Sequence, residues 1–377
     1  ATSGLAKWAW LLGRGGGERR AGAVAHASDL VVAHLTGNPR PPTDWSHALK
    51  SGYDPGRREW ATEALDAVGV PSRLLPDVRP PATAAGRVSS AAAEATGLPA
   101  GCQVRLGMTD GCAGQVAAGA DRPNRFVTVV GTTLVVKGAS EELLVDPSGA
   151  VYSHRHPAGW WLPGGASNTG GAALADGFGD RDLGELDRRA RARGPAACVT
   201  YPLRGTGERF PFVASDASGF WLGEPGDDDE RYRAVLEGVA FLERLAYAHL
   251  GRLGTDAEDP LRSAGRGGRS RAWAAIRATV LDRPVTVAER ADTATGAAVL
   301  AAAGTLHPDL PAAVSAMVRA GEEVVPVREE REALDGSYRR FVDAVAERGW
   351  VDEGLRDAAV SGRKGAGAGP SPADGGN

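Results

Sequence analysis

The chain has 377 residues, which is enough for two domains that each bury a core. A hydrophobic content of 42%, a charged content of 24% and a formal charge of -4 give no electrostatic reason to expect a nucleic acid or an anionic membrane as partner. No apolar run approaches the roughly 20 residues that a membrane span needs. The three cysteines, Cys102, Cys112 and Cys198, lack the spacing of a metal cluster or a disulfide framework, so we expect a cytoplasmic protein.

The two ends of the sequence carry their own signals. The chain begins at Ala1 with neither an initiator methionine nor a signal-peptide pattern, so we expect a fragment of a longer protein. From Gly354 onward most residues are glycine, alanine, serine, proline or charged, which is a composition typical of disorder. We therefore predict a disordered tail over residues 353–377.

Apolar periodicity predicts a mixed α/β protein. The longest predicted helix, Glu230–Leu253, has a helical apolar stripe and is assigned to the core. The other predicted helices are Ala27–Leu35, begun by Ser28 or Asp29, and Trp60–Val68, Val88–Thr96, Arg271–Leu281, Thr293–Gly304 and Glu330–Arg348. The predicted strands include Phe126–Val130, Leu134–Lys137 and Pro284–Val287, whereas residues 201–212 are expected to be irregular.

The stretch from Cys102 to Lys137 carries the clearest functional pattern. A predicted strand ends near Leu106, and Asp110 follows where the chain enters an Ala/Gly-rich helix. The next strand breaks into the turn Gly131-Thr132-Thr133. Because ligands bind at strand ends in α/β sheets, the two features could face one another as a base beside a phosphate-binding turn. Asp110 can also be interpreted as a plain helix N-cap, and the two interpretations are compatible.

Further candidates have equally good structural explanations. Trp10 could stack on a substrate, although packing beside a loop explains Trp8 and Trp10 as well. Asp44 lies in a segment dense in polar and aromatic residues, which is typical of a cleft lining but also of a helix cap. His154 and His156 could begin a metal site, but no third ligand stands at a supporting spacing, so packing at the surface or at a hinge is the default.

Two glycine-rich turns could admit phosphate groups. One spans residues 164–171 and leads into a predicted Ala-rich helix, and the other spans residues 263–270. Small residues let a polyphosphate approach the backbone N–H groups at a helix N-terminus. Close packing of helices would need the same residues, so neither turn is specific by itself.

The ordered series of motifs resembles the FGGY family of carbohydrate kinases. The matching positions are Ser3, Lys7 and Trp10, residues 34–37, residues 98–101, residues 107–110, residues 131–133, the turn near Ser263, and residues 295–298. The resemblance implies the α/β actin-like ATPase (ribonuclease H-like) two-domain fold. Residues 1–120 would then be the remainder of an N-terminal sugar-binding domain, and residues 121–352 a C-terminal ATP-binding domain. Ala48–Asp54, Val151–Arg155 and Trp161–Asn168 are most similar to the D-ribulose kinase branch, with the D-xylulose kinases as close relatives.

The resemblance also implies roles for residues. Asp110 matches the catalytic base that takes the proton from a primary sugar hydroxyl as it attacks the γ-phosphoryl group of ATP. The residues implied for ATP binding are Gly131, Thr132, Thr133, Gly170, Gly171, Gly265 and Ser270. Trp10, Asp44 and Asp110 would contact the sugar. ATP and Mg²⁺ are the implied cofactors, no protein residue is assigned to metal, and a homodimer is possible by analogy with relatives.

Three departures from the family pattern stand out. The initial strand and the Asp-x-Gly-Thr turn of the family do not precede Ala1, so we expect the first domain to be incomplete at its N-terminus. Arg266 replaces a glycine of the adenosine motif, and Gly111 replaces an amide residue after the base. The sequence therefore predicts a D-ribulose kinase, with a D-xylulose or other polyol kinase as alternative. A non-catalytic sugar-binding relative is the alternative from another class.

Overall fold

The computed structural model describes residues 3–14, 20–289 and 292–361. The helices are α1 Gly4–Gly13, α2 Ala27–Thr36, α3 Trp45–Ala48, α4 Thr62–Ala67, α5 Ser90–Thr96, α6 Asp110–Ala117, α7 Ala175–Phe178, α8 Leu183–Arg193, α9 Asp228–Arg252, α10 Arg271–Leu281, α11 Thr293–Ala302, α12 Leu310–Met317, α13 Arg331–Glu347 and α14 Glu353–Val360. Short 3₁₀ turns lie at Leu49–Ser51, Ser72–Leu74, Gly171–Leu174, Gly267–Arg269 and Arg328–Glu330.

The strands are short before residue 120 and longer after it. They are β1 Thr43–Asp44, β2 Tyr53–Asp54, β3 Glu59–Trp60, β4 Val78–Arg79, β5 Ala84–Arg87, β6 Gln103–Arg105, β7 Phe126–Val130, β8 Leu134–Gly138, β9 Tyr152–Arg155, β10 Trp161–Ala166, β11 Val199–Glu208, β12 Ala214–Leu222, β13 Leu261–Ala264, β14 Val285–Val287 and β15 Glu323–Val324. In the described part before residue 120, the strands pair only two by two, as β1 with β4, β2 with β3, and β5 with β6.

A seven-stranded sheet organises the second part of the chain. Its order is β15-β14-β13-β7-β8-β10-β9. β7, β8, β10 and β9 are joined by antiparallel pairings, whereas β13 runs parallel to β7 and β14 parallel to β13. Because β7 and β13 are adjacent and parallel, the turns that follow them, at Gly131 and Gly265, emerge at the same edge of the sheet.

Helices cover both faces of this sheet. A large core cluster joins α9, α10 and α13, including Leu236, Trp273 and Phe341. A second cluster joins α6, α11 and α12 and includes Cys112 and Val299. This layered arrangement places α6, the helix that begins with Asp110, directly against α11 of the second part of the chain.

Gly296 allows α6 and α11 to touch. A Cβ at this position of α11 would lie 1.9 Å from the carbonyl oxygen of Ala113 in α6. No side chain fits at that distance, so the glycine sets how closely the helix that carries Asp110 approaches the second part of the chain.

Most long predicted elements are confirmed, with shifted ends. Strand Phe126–Val130 and helix Arg271–Leu281 have the predicted bounds, and the longest helix covers Asp228–Arg252. The first predicted helix begins at Ala27 after His26, not at Ser28 or Asp29, because the Asp29 carboxylate accepts a hydrogen bond from the His26 N–H at 2.8 Å.

Several other expectations were wrong. Residues 201–212 lie largely in the β11–β12 hairpin, whose register shifts accommodate prolines and glycines that suggested a loop. Trp60 belongs to β3, where its ring packs edge-on against Tyr53 at 5.3 Å, and not to a helix. The Ala-rich helix predicted after Gly171 is reduced to a 3₁₀ turn, Gly171–Leu174, and the short α7, in which Gly177 takes a φ of +90°.

The predicted disordered tail is corrected in its first part. Residues Glu353–Val360 form α14, and its apolar residues Leu355 and Ala359 join the large core cluster beside α9 and α13. The composition hid this helix, because only two apolar positions on one face are needed to dock a short helix. Residues 362–377 lie outside the described residues. Among the residues described, no helix is both long and apolar enough to cross a membrane.

The contact at Gly296 generates a stability prediction. Gly296→Ala should lower the free energy of unfolding by about 1–3 kcal/mol, because the added methyl group would overlap the Ala113 carbonyl. Gly336→Ala is the matched control: Gly336 lies in α13 with open space around it, so alanine should raise stability by about 0.5–1 kcal/mol. Urea denaturation measures both changes, and equal effects at the two positions would contradict the close-contact account.

Candidate active site

Asp110 stands at the start of α6 with its side chain exposed. Thr109, not Asp110, occupies the N-cap position, so the interpretation of Asp110 as the N-cap is wrong. The Thr109 N–H donates to the Ser46 hydroxyl oxygen at 2.9 Å, which ties the start of α6 to α3. The strand before Asp110, β6, does not share a sheet with β7. The carboxylate accepts from the Gly111 N–H at 2.7 Å and is otherwise exposed at the helix start, where a ligand can reach it.

Asp44 organises the polar network behind Asp110. Its side chain is 3% exposed and caps α3 by accepting from the N–H groups of Ser46 at 2.8 Å and His47 at 3.2 Å. It also accepts from the Ser46 hydroxyl at 2.5 Å and from the His47 ring. Ser46 therefore links the Asp44 carboxylate to the backbone one residue before Asp110. Both Asp44 oxygens take part in this network, and a sugar contact of Asp44 stays a prediction.

His47 joins this network through its ring, which contacts the Asp44 carboxylate. Burial lowers the pKa of His47, but the hydrogen bond to Asp44 and the charges of Asp44, Asp29 and Asp110 outweigh it, so the net shift is upward. A raised pKa favours the protonated ring beside the Asp44 carboxylate.

The two histidines considered as metal ligands are packed in the interior instead. His154 lies 3.4 Å from the Lys137 ammonium, and burial together with the charges of Lys137, Lys50 and His47 lowers its pKa to about 2. His156 stacks on Trp160, and burial lowers its pKa to about 4. No group of three or more histidine, cysteine, aspartate or glutamate side chains in the described ranges could hold a metal ion.

The Gly131-Thr132-Thr133 turn and the Gly170-Gly171 segment are brought together. The Gly171 N–H donates to the Gly131 carbonyl at 2.8 Å, and the Ala172 N–H donates to the Thr132 carbonyl at 3.0 Å. A Cβ at Gly170 would lie 2.4 Å from the Thr133 carbonyl carbon, so only glycine permits this approach. Thr132 is exposed at the tip of the hairpin. The two turns form a single backbone-lined surface at the end of β7.

Gly265 completes this surface from the neighbouring strand. It has a φ of +86°, and a Cβ there would lie 2.6 Å from the Val130 carbonyl oxygen. Both restrictions favour glycine at the turn that follows β13. Arg266, the next residue, is exposed and stands just before the 3₁₀ turn Gly267–Arg269. Its side chain therefore has room to lie outside the turn, although it stands where the family has glycine.

Ser270 serves the end of the same turn as a helix cap. Its hydroxyl oxygen accepts from the Trp273 N–H at 3.0 Å and its O–H donates to the Asp187 carboxylate at 2.5 Å. Asp187, on α8, also accepts from the Tyr232 hydroxyl at 2.7 Å. The serine predicted for the adenosine motif is thus committed to holding the turn, and its role toward a nucleotide stays a prediction.

Trp10 is not brought to this network in the described structure. It is 57% exposed on α1, with the Arg14 guanidinium 4.2 Å from its ring centre. Trp8, two residues earlier, faces inward and lies 4.9 Å from the His26 ring. Since positions two apart on a helix point in different directions, Trp8 is nearer than Trp10 to the polar network. A sugar contact of Trp10 remains a prediction.

Sequence reasoning missed Ser46, His47 and Asp187. A signal existed for the first two, because an aspartate followed by serine and histidine is the pattern of an Asx cap with a cation in the first turn. Asp187 gave no signal, since it sits among charged residues of α8 and becomes relevant only through its contact with Ser270. These residues hold others in place, which sequence spacing does not reveal.

A cavity elsewhere contains none of the predicted site residues. It has a volume of about 920 Å³ and lies between α9, α10 and α13, beside Phe126 at the opposite end of β7 from Gly131. Arginines and carboxylates line it in pairs, such as Arg244 with Asp335 and Arg331 with Asp282. The chemistry at Asp110 is therefore separate from this cavity.

Comparison with known proteins identifies the family. The model of the FGGY family of carbohydrate kinases, N-terminal domain, matches residues 4–117, and that of the C-terminal domain matches residues 126–305. The chain belongs to the FGGY family of carbohydrate kinases. A crystal structure of xylulose kinase from Rhodospirillum rubrum superposes with a TM-score of 0.79 at 30% identity, covering 91% of this chain and 71% of that one.

Curated relatives are also sugar kinases. An autoinducer-2 kinase of Enterobacter sp. (strain 638) is 27% identical over 366 residues, covering 89% of this chain and 68% of that protein. A xylulose kinase of Streptomyces rubiginosus is 29% identical and an erythritol kinase of Brucella abortus 28% identical, with this chain covering 69% and 58% of their lengths. The actin-like ATPase two-domain α/β fold and the assignment to phosphotransferases are thereby confirmed. The expected absence of the N-terminal segment is not confirmed, since the N-terminal domain model matches.

The described residues suit the phosphate groups of a nucleotide, and they are compatible with its magnesium ion. The Gly131 turn, Gly170-Gly171 and Gly265 carry no side-chain bulk at the glycines, which lets a phosphate chain approach the backbone. Mg²⁺ in kinases is held mainly by phosphate oxygens with one or two carboxylates, so the lack of a larger ligand cluster among the described residues is compatible with it.

The pKa of His47 leads to a prediction about pH. Because the folded pKa is raised, the stabilisation by His47 is fully present below its unfolded pKa of about 6.5 and disappears as pH rises through the folded value. His47→Gln should therefore cost more unfolding free energy at pH 6 than at pH 9, measured by denaturant titration. The exposed His34 serves as control in His34→Gln. An equal cost of His47→Gln at both pH values would contradict the ion pair with Asp44.

Proposed function

We propose that this protein catalyses the ATP-dependent phosphorylation of a primary hydroxyl of a pentulose, D-ribulose, with Asp110 as general base. The observation that carries the proposal is the exposed Asp110 carboxylate at the start of α6, whose preceding residue Thr109 is held by Ser46. Asp110 would accept the proton of the attacking hydroxyl as that oxygen bonds to the γ-phosphorus.

The backbone turns would supply the second half of the site. N–H groups around Gly131–Thr133 and Gly170-Gly171 would orient the phosphate chain, and the turn from Gly265 to Ser270 would lie toward the adenosine. ATP supplies the phosphoryl group, and Mg²⁺ neutralises its charge when bound. Residues 1–120 and 121–352 would act as sugar-binding and ATP-binding domains that close on one another and exclude water. The free cysteines fit a reducing cytoplasm, and the homodimer stays a prediction.

The choice of D-ribulose rests on the similarity of Ala48–Asp54, Val151–Arg155 and Trp161–Asn168 to the D-ribulose kinases. Side chains of these segments contact one another. Lys50, in the first segment, and Lys137 both lie over the ring of Tyr152, in the second. Arg155 packs over Trp161 in the third segment and donates to the Pro55 carbonyl at 2.6 Å. D-xylulose is the alternative substrate, and the relatives named as xylulose kinases favour it.

A sugar-binding protein without catalysis is the alternative from another class. Arg266 in the adenosine turn and Gly111 after the base favour it, because both depart from the family pattern. A binding protein would bind sugar without releasing ADP, so turnover separates the two functions.

Asp110→Asn tests the proposal directly. We expect the full-length protein to release ADP with D-ribulose faster than with D-xylulose or glycerol, and Asp110→Asn to lower kcat by about 10²–10⁴-fold because the general base is lost. A coupled ADP-release assay with each sugar measures both effects.

Asp228→Asn is the matched control for this experiment. Asp228 is also an exposed aspartate at the first position of a helix, α9, but it pairs with Arg181 away from the site. It should leave kcat unchanged. Full activity of Asp110→Asn, or sugar binding without any turnover by the wild type, would refute the kinase mechanism.

A further inference from the structure

Glu208 is a buried carboxylate, and most of its hydrogen bonds come from residues 167–169, which directly precede Gly170 and Gly171. It ends β11 and is 3% exposed. One carboxylate oxygen accepts from the Asn168 N–H at 2.6 Å and the Arg209 N–H at 2.9 Å. The other accepts from the hydroxyls of Ser167 at 2.8 Å, Tyr201 at 2.7 Å and Thr169 at 3.3 Å. Three of the five donors thus belong to residues 167–169.

The negative charge of Glu208 is held by neutral donors. The neighbouring Arg209 side chain donates to the Ala166 carbonyl at 2.7 Å, and the described structure shows no ion pair of Glu208 with it. Burial and the charge of Glu208 raise the pKa of Tyr201, so the phenol stays a donor. A buried carboxylate that ends up with five donors is fully satisfied, and removing it would leave several of them unpaired at once.

Residues 167–169 connect Glu208 to Gly170 and Gly171, so the position of Glu208 affects these two glycines. The Ser167 N–H donates to the Leu134 carbonyl at 2.8 Å, and the Leu134 N–H donates to the Thr169 carbonyl at 2.7 Å. Gly170 and Gly171 follow directly and pack against the Gly131–Thr133 turn. Glu208 therefore fixes the segment from the side opposite to the hairpin, which leaves the glycine N–H groups little freedom.

We infer that Glu208 is a positioning residue that sets residues 167–171 for the phosphate groups of a nucleotide, an inference that rests on the proposed function. Glu208 does not touch the reacting atoms itself. It acts through Ser167, Asn168 and Thr169, and a shift of this segment would misplace the backbone of Gly170 and Gly171, which packs on the Gly131–Thr133 turn.

Two variants of Glu208 test the inference in the full-length protein. Titration calorimetry with ADP and Mg²⁺ should show affinity weakened about tenfold or more in Glu208→Ala, since a small misplacement of positioning groups has effects of this order. Glu208→Gln should lose less, because its carbonyl oxygen still serves the N–H groups and hydroxyls can rotate to accept from its amide. The KM for ATP should rise while the KM for the sugar stays constant.

Amide hydrogen exchange gives a readout that does not need a nucleotide. Exchange across residues 167–172 should accelerate in both Glu208 variants, under conditions where circular dichroism shows the fold intact. Asp146→Asn is the matched control: Asp146 is a buried carboxylate that accepts from the N–H groups of Ser148 and Val151 and from His249, away from this turn. It should lower stability but leave the affinity for ADP unchanged.

The outcomes separate this inference from the proposed function. Wild-type affinity for ADP in Glu208→Ala, or unchanged exchange across residues 167–172, would overturn the role of Glu208. A wild-type protein that binds no ADP would instead contradict the proposed function. In that case, accelerated exchange in the variants would still show that Glu208 holds the turn, and unchanged exchange would show that it does not.

Discussion

The close approach of two backbone segments at the end of β7 is the constraint on which the candidate site depends. The hairpin Gly131–Thr133 and the segment from Ser167 to Ala172 exchange backbone hydrogen bonds, and Gly170 cannot carry a side chain there. The glycines allow these two backbone segments to touch. The side chains behind them hold the segments in place. A phosphate-binding surface made of backbone N–H groups needs both properties, because flexible donors would have to be ordered when the ligand binds.

The site joins the two parts of the chain through α6. This helix begins with Asp110, is tied to α3 through Thr109 and Ser46, and packs on α11 at Gly296. Asp110 and the glycine turns therefore belong to different layers of the fold. These layers meet where α6 packs on α11. In the proposed function, this arrangement would let one part of the fold supply the base and the other hold the phosphate.

Sequence patterns predicted the elements with strong periodicity and the glycine turns, but not the residues that position them. Helix α10 and strand β7 had clear patterns, and Gly131, Gly170 and Gly265 do adjoin one edge of the sheet. The β11–β12 hairpin escaped detection because its bulges tolerate glycine and proline. His47 and Asp187 act through contacts between segments distant in sequence or within a cap, and such contacts depend on the folded arrangement.

A crystal structure of the protein with ADP, Mg²⁺ and D-ribulose would test the central claim most directly. The account predicts that the β-phosphate contacts the backbone of the Gly131–Thr133 turn and of Gly170. It also predicts that a primary hydroxyl of the sugar lies within hydrogen-bonding distance of the Asp110 carboxylate. A nucleotide bound elsewhere, or a sugar whose primary hydroxyls all point away from Asp110, would contradict it.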